Sequence, residues 1–290
     1  MQSEITGRIA FALNLEMVDA EAARPIGNPE ASDYIFRGRE ALSGRSPSRE
    51  NYDAAIGLYE RALALDPQST AAKTYLAGAL INHVFSFPTA SAPADLARAG
   101  RPIDEALAAG TRIPWAHYVK GSVLRAQGQW AAAIPEFETA LALNRNMTGP
   151  LQGLGWCKLF TGSLDEVIPL AEKGIRIGPR DSSIGFRYFQ IGEVHELQGR
   201  PDAAIGWLEK TRAAIPALAG PLLHLASIHA LAGDARRAAA ELAAARDLNP
   251  HLYPSIARLK ASQPWGVPKV QAMFEATYFT GLRKAGMPEE

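Results

Sequence analysis

Small and bulky apolar residues recur along this chain in a fixed order, and that order predicts pairs of helices. Within Pro114–Arg145, Gly121 and Ala133 mark the closest approach of a first helix to a second, with Leu124 and Phe137 filling the space around them. Gly128 ends the first helix, because glycine reaches the left-handed conformation that helix termini favour. Ala140 is small enough for the second helix to pack on the next pair. The same roles recur at Gly155 and Gly162, then at Gly192, Gly199, Ala204 and Leu208, then at Ala226, Gly233, Ala238, Leu242 and Ala245.

Two markers keep one register. The turn glycines Gly128, Gly162, Gly199 and Gly233 are separated by 34, 37 and 34 residues, and the terminators Arg145, Pro179, Pro216 and Pro250 by 34, 37 and 34. The phrase Ala62–Leu65 before Asp66-Pro67 returns as Ala140–Leu143, and in variant form at Gly174–Pro179, Arg212–Pro216 and Ala245–Pro250. A period near 34 residues is that of the tetratricopeptide repeat, a helix–turn–helix stacked on its copies. The fold class expected is therefore all-α, a right-handed superhelical solenoid of stacked helix pairs.

Residues 31–252 hold about six units. An early one is anchored by Ala55, Tyr59, Ala62 and Pro67, with Asp33–Leu42 as its first helix and an enlarged turn at Ser43–Ser48. The next, about Thr70–Thr111, is degenerate and carries an inserted loop at residues 86–93. Residues 1–30 read as an amphipathic helix and linker, with Ile5, Ile9, Leu13 and Met17 four apart on one stripe. Residues 253–290 read as capping helices with a matching stripe of Val270, Phe274, Tyr278 and Leu282, since a repeat array must cover its last open pair.

Composition narrows the function classes. Lys plus Arg and Asp plus Glu are 30 each, so no basic excess marks a nucleic-acid surface. No apolar run approaches the roughly 18 residues that span a bilayer, and no basic leader or cleavage site precedes Ile9–Val18. Cys157, the single cysteine, has no disulfide partner in the chain, which fits the cytoplasm.

Candidate chemistry dissolves on inspection, and no cofactor, metal or catalytic set is expected. Gly153-Leu-Gly155 has no third glycine and no preceding strand, so it is not a nucleotide loop. His195-Glu196 begins like a zinc-protease helix, but Gly199 stands where the second ligand is required. His224 and His229 are five apart on a helix and diverge. Asn146-Met-Thr148 matches a glycosylation sequon that has no meaning in the cytoplasm. Glu193, Glu196 and Glu209 read as solvated helix faces.

What remains is a concave groove for a protein or peptide partner. In this repeat type the second, fifth, ninth and twelfth positions of each first helix line it. The register gives Trp115, Tyr118, Ser122 and Arg125, then Gln152, Trp156 and Leu159, then Phe186, Phe189, Glu193 and Glu196, then Leu223 and Ser227. Aromatic groups there anchor a partner with little loss of rotamer freedom; packing of Trp115, Phe186 and Phe189 between units is the competing reading. Chaperone-binding repeats clamp a carboxylate with Lys, Arg and Asn, but Tyr118, Ser122, Gln152 and Trp156 stand in those places. A mixed apolar groove is expected, with the amino-terminal stripe as a route to a homodimer.

Three stretches carry a wider resemblance: Glu4-Ile-Thr-Gly-Arg-Ile-Ala10 with Leu13-Asn-Leu15, Asn28-Pro-Glu-Ala-Ser-Asp-Tyr34, and Gly281-Leu-Arg-Lys-Ala-Gly-Met-Pro-Glu289. In these the chain resembles the carboxy-terminal repeat region of alpha-proteobacterial class III adenylate/guanylate cyclases. The resemblance implies a bacterial signalling context and a truncated or split version of such a protein. The family's metal-binding aspartates and base-recognising residues have no counterparts here.

Overall fold

The computed structural model of the protein describes residues 28–43, 48–86, 92–110, 112–248, 254–262 and 265–290. Helices alternate between a first (A) and a second (B) member of each pair. The A helices are α1 (Pro29–Ala41), α3 (Thr70–Ser86), α5 (Pro114–Ala126), α7 (Thr148–Thr161), α9 (Ile184–Leu197) and α11 (Gly220–Leu231). The B helices are α2 (Arg49–Leu65), α4 (Ala92–Ala108), α6 (Trp130–Leu143), α8 (Leu164–Ile177), α10 (Pro201–Ala214) and α12 (Ala235–Leu248). Beyond them come α13 (Ile256–Ala261), α14 (Pro268–Phe274), a π-helical turn at Glu275–Phe279, and α15 (Thr280–Lys284). The Ile5–Met17 stripe, most of the 43–48 turn and residues 87–91 of the expected insertion lie outside the described residues.

The turn glycines do what the spacing required. Gly128, Gly162, Gly199 and Gly233 have φ of 73°, 91°, 70° and 83°. At each, the next residue's N–H reaches back five positions, as in Gln129 to the Leu124 carbonyl (2.9 Å) and Arg200 to the His195 carbonyl (2.8 Å), while the glycine N–H takes the carbonyl three back. This is the Schellman closure of an α-helix, and it needs a left-handed residue. The first two helix starts are fixed by side-chain caps. Asn28 Oδ1 accepts from the N–H of Glu30 (2.9 Å) and Ala31 (3.3 Å), and Pro29 follows at the first helical position, so α1 begins four residues before the expected Asp33. Ser48 and Asn51 cap α2 reciprocally.

The chain forms two compact units, Met1–Gly153 and Leu154–Glu290. In unit 1, A and B helices approach through glycine. A Cβ on Gly121 would lie 2.8 Å from the Phe137 ring, and one on Gly38 would lie 2.5 Å from the Tyr59 ring. Phe137, rather than Ala133, is the side chain facing Gly121. It is fully buried and seated against Gly153 as well. In unit 2, Gly192 gives the same room to Leu208, and Gly174 on α8 gives it to the stem of Arg187 on α9. Arg187 is 0% exposed, pairs with Asp181 (2.8 Å) and leaves its Nε and Nη1 without hydrogen-bond partners among the described residues.

Helix α11 departs from the amphipathic norm. Residues 221–230 are all buried, so something covers the face that a repeat helix normally leaves open. The cover is the carboxy-terminal segment. Its Val267 N–H donates to the Phe160 carbonyl at the end of α7 (2.9 Å), its π-helical turn lies against α9 and α11, and α15 lies along α11. Val270, Phe274, Tyr278 and Leu282, the stripe read from the sequence, are buried. After Gly286 (φ 96°) closes α15, the chain returns to α13, where Ile256 and Ala257 donate to the carbonyls of Pro288 and Glu289 (2.9 and 3.0 Å).

Candidate partner-binding face

Unit 1 places its expected groove residues on consecutive turns of α5. Trp115 and Tyr118 are half-buried, with ring centroids 4.9 Å apart, and Tyr118 also meets Phe137 at 6.2 Å. Tyr118 fits because Gly149 opposes it: a Cβ there would lie 2.9 Å from the ring. Trp115 leans on α3, where Gly78 leaves room for its indole edge, and its buried Nε1–H meets no acceptor among the described residues. Arg125 lays its guanidinium 4.1 Å over the Phe85 ring, a cation–π arrangement that holds the charge in place at the surface. Gln152 is half-buried on α7. Missing from the sequence-based set are Phe85 and Tyr75 on α3. Tyr75 stacks on Tyr59 at 5.8 Å and carries Arg39 at 5.5 Å. Gly78 was the available signal: taken as the counterpart of Gly121, it puts Tyr75 at the fifth position.

Unit 2 brings Trp156 and Phe189 together, with centroids 5.9 Å apart, and Trp156 stacks on Phe160 at 6.0 Å. Glu193 and Glu196 behave differently from expectation. They are 3% and 4% exposed, so the reading of these two as solvated carboxylates is corrected. The physical reason is a polar cluster that the repeat register alone does not reveal. His224 Nδ1 makes a short contact with Glu196 Oε2, and its Nε2 lies 3.9 Å from Glu193 Oε1. Ser227 Oγ donates to Glu196 Oε1 (3.2 Å) and lies 3.4 Å from the Thr277 carbonyl of the carboxy-terminal segment. Tyr278 stacks on His224 at 4.1 Å, and Phe189 meets the same ring edge-on at 5.2 Å.

Burial sets the electrostatics of this cluster. Removal from water pushes the Glu193 carboxyl up to about 7; the charge of His224 opposes the shift and that of Glu196 adds to it. Burial by itself drives the His224 imidazolium toward neutrality, but the Glu196 carboxylate, its hydrogen bond and Glu193 together hold His224 above the usual histidine range. Glu193 Oε2 has no hydrogen-bond partner among the described residues. The Ser227 hydroxyl that donates to Glu196 is 0% exposed, and among the described residues no group of three or more His, Cys, Asp or Glu side chains could hold a metal ion. Nor is any described helix long and apolar enough to cross a membrane.

Comparisons with known proteins place the fold. Residues 48–83, the α2–α3 region, match the family model of the tetratricopeptide repeat. Comparison with curated protein sequences finds no match. Among solved structures, a chain of the APC/C hetero-tetramer Cut9–Hcn1 superposes with a TM-score of 0.65 at 14% identity, covering 88% of this chain and 46% of that one. PilW, a type IV pilus biogenesis factor, superposes with a TM-score of 0.59 at 16% identity, covering 81% of this chain and all of PilW. PilF of Pseudomonas aeruginosa gives 0.55 at 19%, covering 77% and 93%. At these identities the likeness is one of architecture. The fold is an all-α repeat of the tetratricopeptide type.

Proposed function

We propose that the chain is a protein-interaction scaffold that holds a partner's helix or peptide on the face made by its A helices. One observation carries this reading: in unit 2 that face already holds a helical segment, the chain's own Pro268–Lys284. In unit 1 the corresponding positions present Trp115, Tyr118 and Gln152, with Arg125 fixed over Phe85. Flat aromatic groups and an ordered guanidinium are the side chains that dominate interface energetics. The cytoplasm is the proposed compartment, and catalysis is not part of the proposed role.

The test is capture with crosslinking from the native cell, comparing the wild-type chain with a Trp115→Ala, Tyr118→Ala double variant. Recovery of a defined protein that the double variant loses is expected. Recovery of no protein, or of the same proteins by both, overturns the reading.

A narrower reading, that the chain regulates a nucleotide cyclase, is supported by the three stretches quoted above. It predicts a cyclase reading frame beside this one, and no cyclic nucleotide from the purified chain. Self-association through the Ile5–Met17 stripe predicts a dimer in light scattering that Ile9→Asp abolishes; a monomer at every concentration refutes it.

A further inference from the structure

We propose that the A-helix face of unit 2 is a helix-exchange site: Pro268–Lys284 is its resident ligand, and a partner's amphipathic helix with an aromatic residue followed three positions later by glycine takes its place. The proposal rests on the scaffold reading and names the partner chemistry for this face.

The resident segment defines the recognition. It contacts α7 near Phe160, α9 through the π-helical turn, and α11 through that turn and α15, so it crosses successive A helices of unit 2 and meets Ser227 of the expected groove set directly. Two of its residues make the specific contacts. Tyr278 stacks on His224. Gly281 lies so close to Ser227 that any Cβ would collide with both its side chain and its backbone. The π-helical turn adds a residue between α14 and α15, and Thr280 Oγ1 bonds the Glu275 carbonyl across it (2.7 Å). Such turns are rare and occur disproportionately where a helix meets a functional contact.

The seat has the chemistry of a face built to open. A permanent cap is held most firmly by apolar surface. Here the segment lies on His224, which holds two carboxylates behind it, all three under 5% exposed, and one Glu193 oxygen has no hydrogen-bond partner among the described residues. Undocking returns all three to water, and their hydration offsets part of the cost of separating the two surfaces. The ionisable groups that face one another are Glu193 and Glu196 from α9, His224 from α11 and Tyr278 from the segment. Covering the seat takes Glu193 out of water and raises its proton affinity, while His224 is held charged by Glu196 and Glu193 of the seat itself, so docking takes up a proton at Glu193. The grip is therefore strongest below the ordinary value of Glu193 and weakens as pH rises through about 7.

The test uses the full chain and a fluorescent synthetic peptide of residues 265–286. Wild-type protein should bind the peptide weakly, because the resident competes. Gly281→Leu and Tyr278→Ala in the protein weaken the resident. If the open fraction rises from about 1% to about half, the apparent affinity for the peptide rises about 50-fold. The same two changes placed in the peptide should abolish its binding. Equal peptide affinity for wild-type and variant chains overturns the proposal.

Hydrogen exchange on the wild-type chain guards against a variant that merely misfolds. Amides of 275–284 should exchange through a local opening, ahead of those in α9 and α11. The opening should be larger at pH 8 than at pH 6, after correction for intrinsic rates. Exchange of the segment only together with α11 makes it a fixed part of the core and ends the proposal. Failure here, with partner capture through Trp115 and Tyr118 intact, removes the exchange site and leaves the scaffold reading standing.

Discussion

Replacing Glu193 with glutamine should stabilise unit 2 at alkaline pH and leave it nearly unchanged at acid pH. Glu193 is buried beside His224, on which Tyr278 of the carboxy-terminal segment stacks, and burial pushes its carboxyl up to about 7 from the usual 4.5. A folded-state value above the ordinary one means that the folded state holds the proton more tightly. The associated stability is thus fully present below about 4.5 and is lost as pH rises through about 7. That interval corresponds to about 3 kcal/mol of lost stability by pH 8. The glutamine of the Glu193→Gln variant keeps the shape but cannot ionise, so the variant should lack this loss; weaker support for the His224 proton trims the gain. At about 3 °C per kcal/mol for a unit of this size, the variant should melt up to roughly 9 °C above wild type at pH 8 and within about 1 °C of it at pH 4. Circular dichroism melts at the two values check this. Parallel pH dependence in both proteins, or a less stable variant at pH 8, would refute the reasoning.

Three further substitutions probe the rest of the fold. Phe137→Ala empties the site framed by Gly121 and Gly153 and should destabilise unit 1 by about 3–5 kcal/mol in urea denaturation followed by Trp115 fluorescence; a loss below about 1 kcal/mol contradicts the packing described. Alanine should have opposite signs at two glycines with open space around them. Gly199→Ala, at φ 70°, should lose about 1 kcal/mol, and Gly206→Ala, inside α10, should gain roughly 0.5–1 kcal/mol, so matching signs in thermal melts would count against the assigned conformations. Asp181→Ala leaves the fully buried Arg187 without its carboxylate and should cost about 3 kcal/mol in chemical denaturation, whereas Asp165→Ala on the surface should cost little.

Where one residue type is the only one that fits, the fold was legible in the sequence. A left-handed turn demands glycine, so Gly128, Gly162, Gly199 and Gly233 announced four hairpins with no knowledge of their surroundings. The carboxy-terminal stripe was legible for the same kind of reason, since Val270, Phe274, Tyr278 and Leu282 share one side of a helix. What that stripe packs against was not. Period shows that a face is apolar but not which surface receives it, and the segment came to rest on A helices rather than simply closing the last pair. The polar cluster was hidden likewise. Its members come from α9, α11 and the segment, and Glu196 reads in sequence like any exposed helix carboxylate until His224, 28 residues later, is brought beneath Tyr278. On α3 the aromatic positions were obscured because its repeat lacks the regular terminator spacing, although Gly78 preserves the register.

Placement of a helix on the A-helix face is the central claim, and the ring of His224 reports on it directly. An NMR titration of the full chain, with nuclear Overhauser contacts measured to aromatic protons, reads both its neighbours and its proton affinity. The account predicts a cross-peak between the His224 and Tyr278 rings, 4.1 Å apart, and a midpoint above that of an ordinary histidine. A His224 ring without contact to Tyr278, titrating as a free histidine in water does, would contradict it.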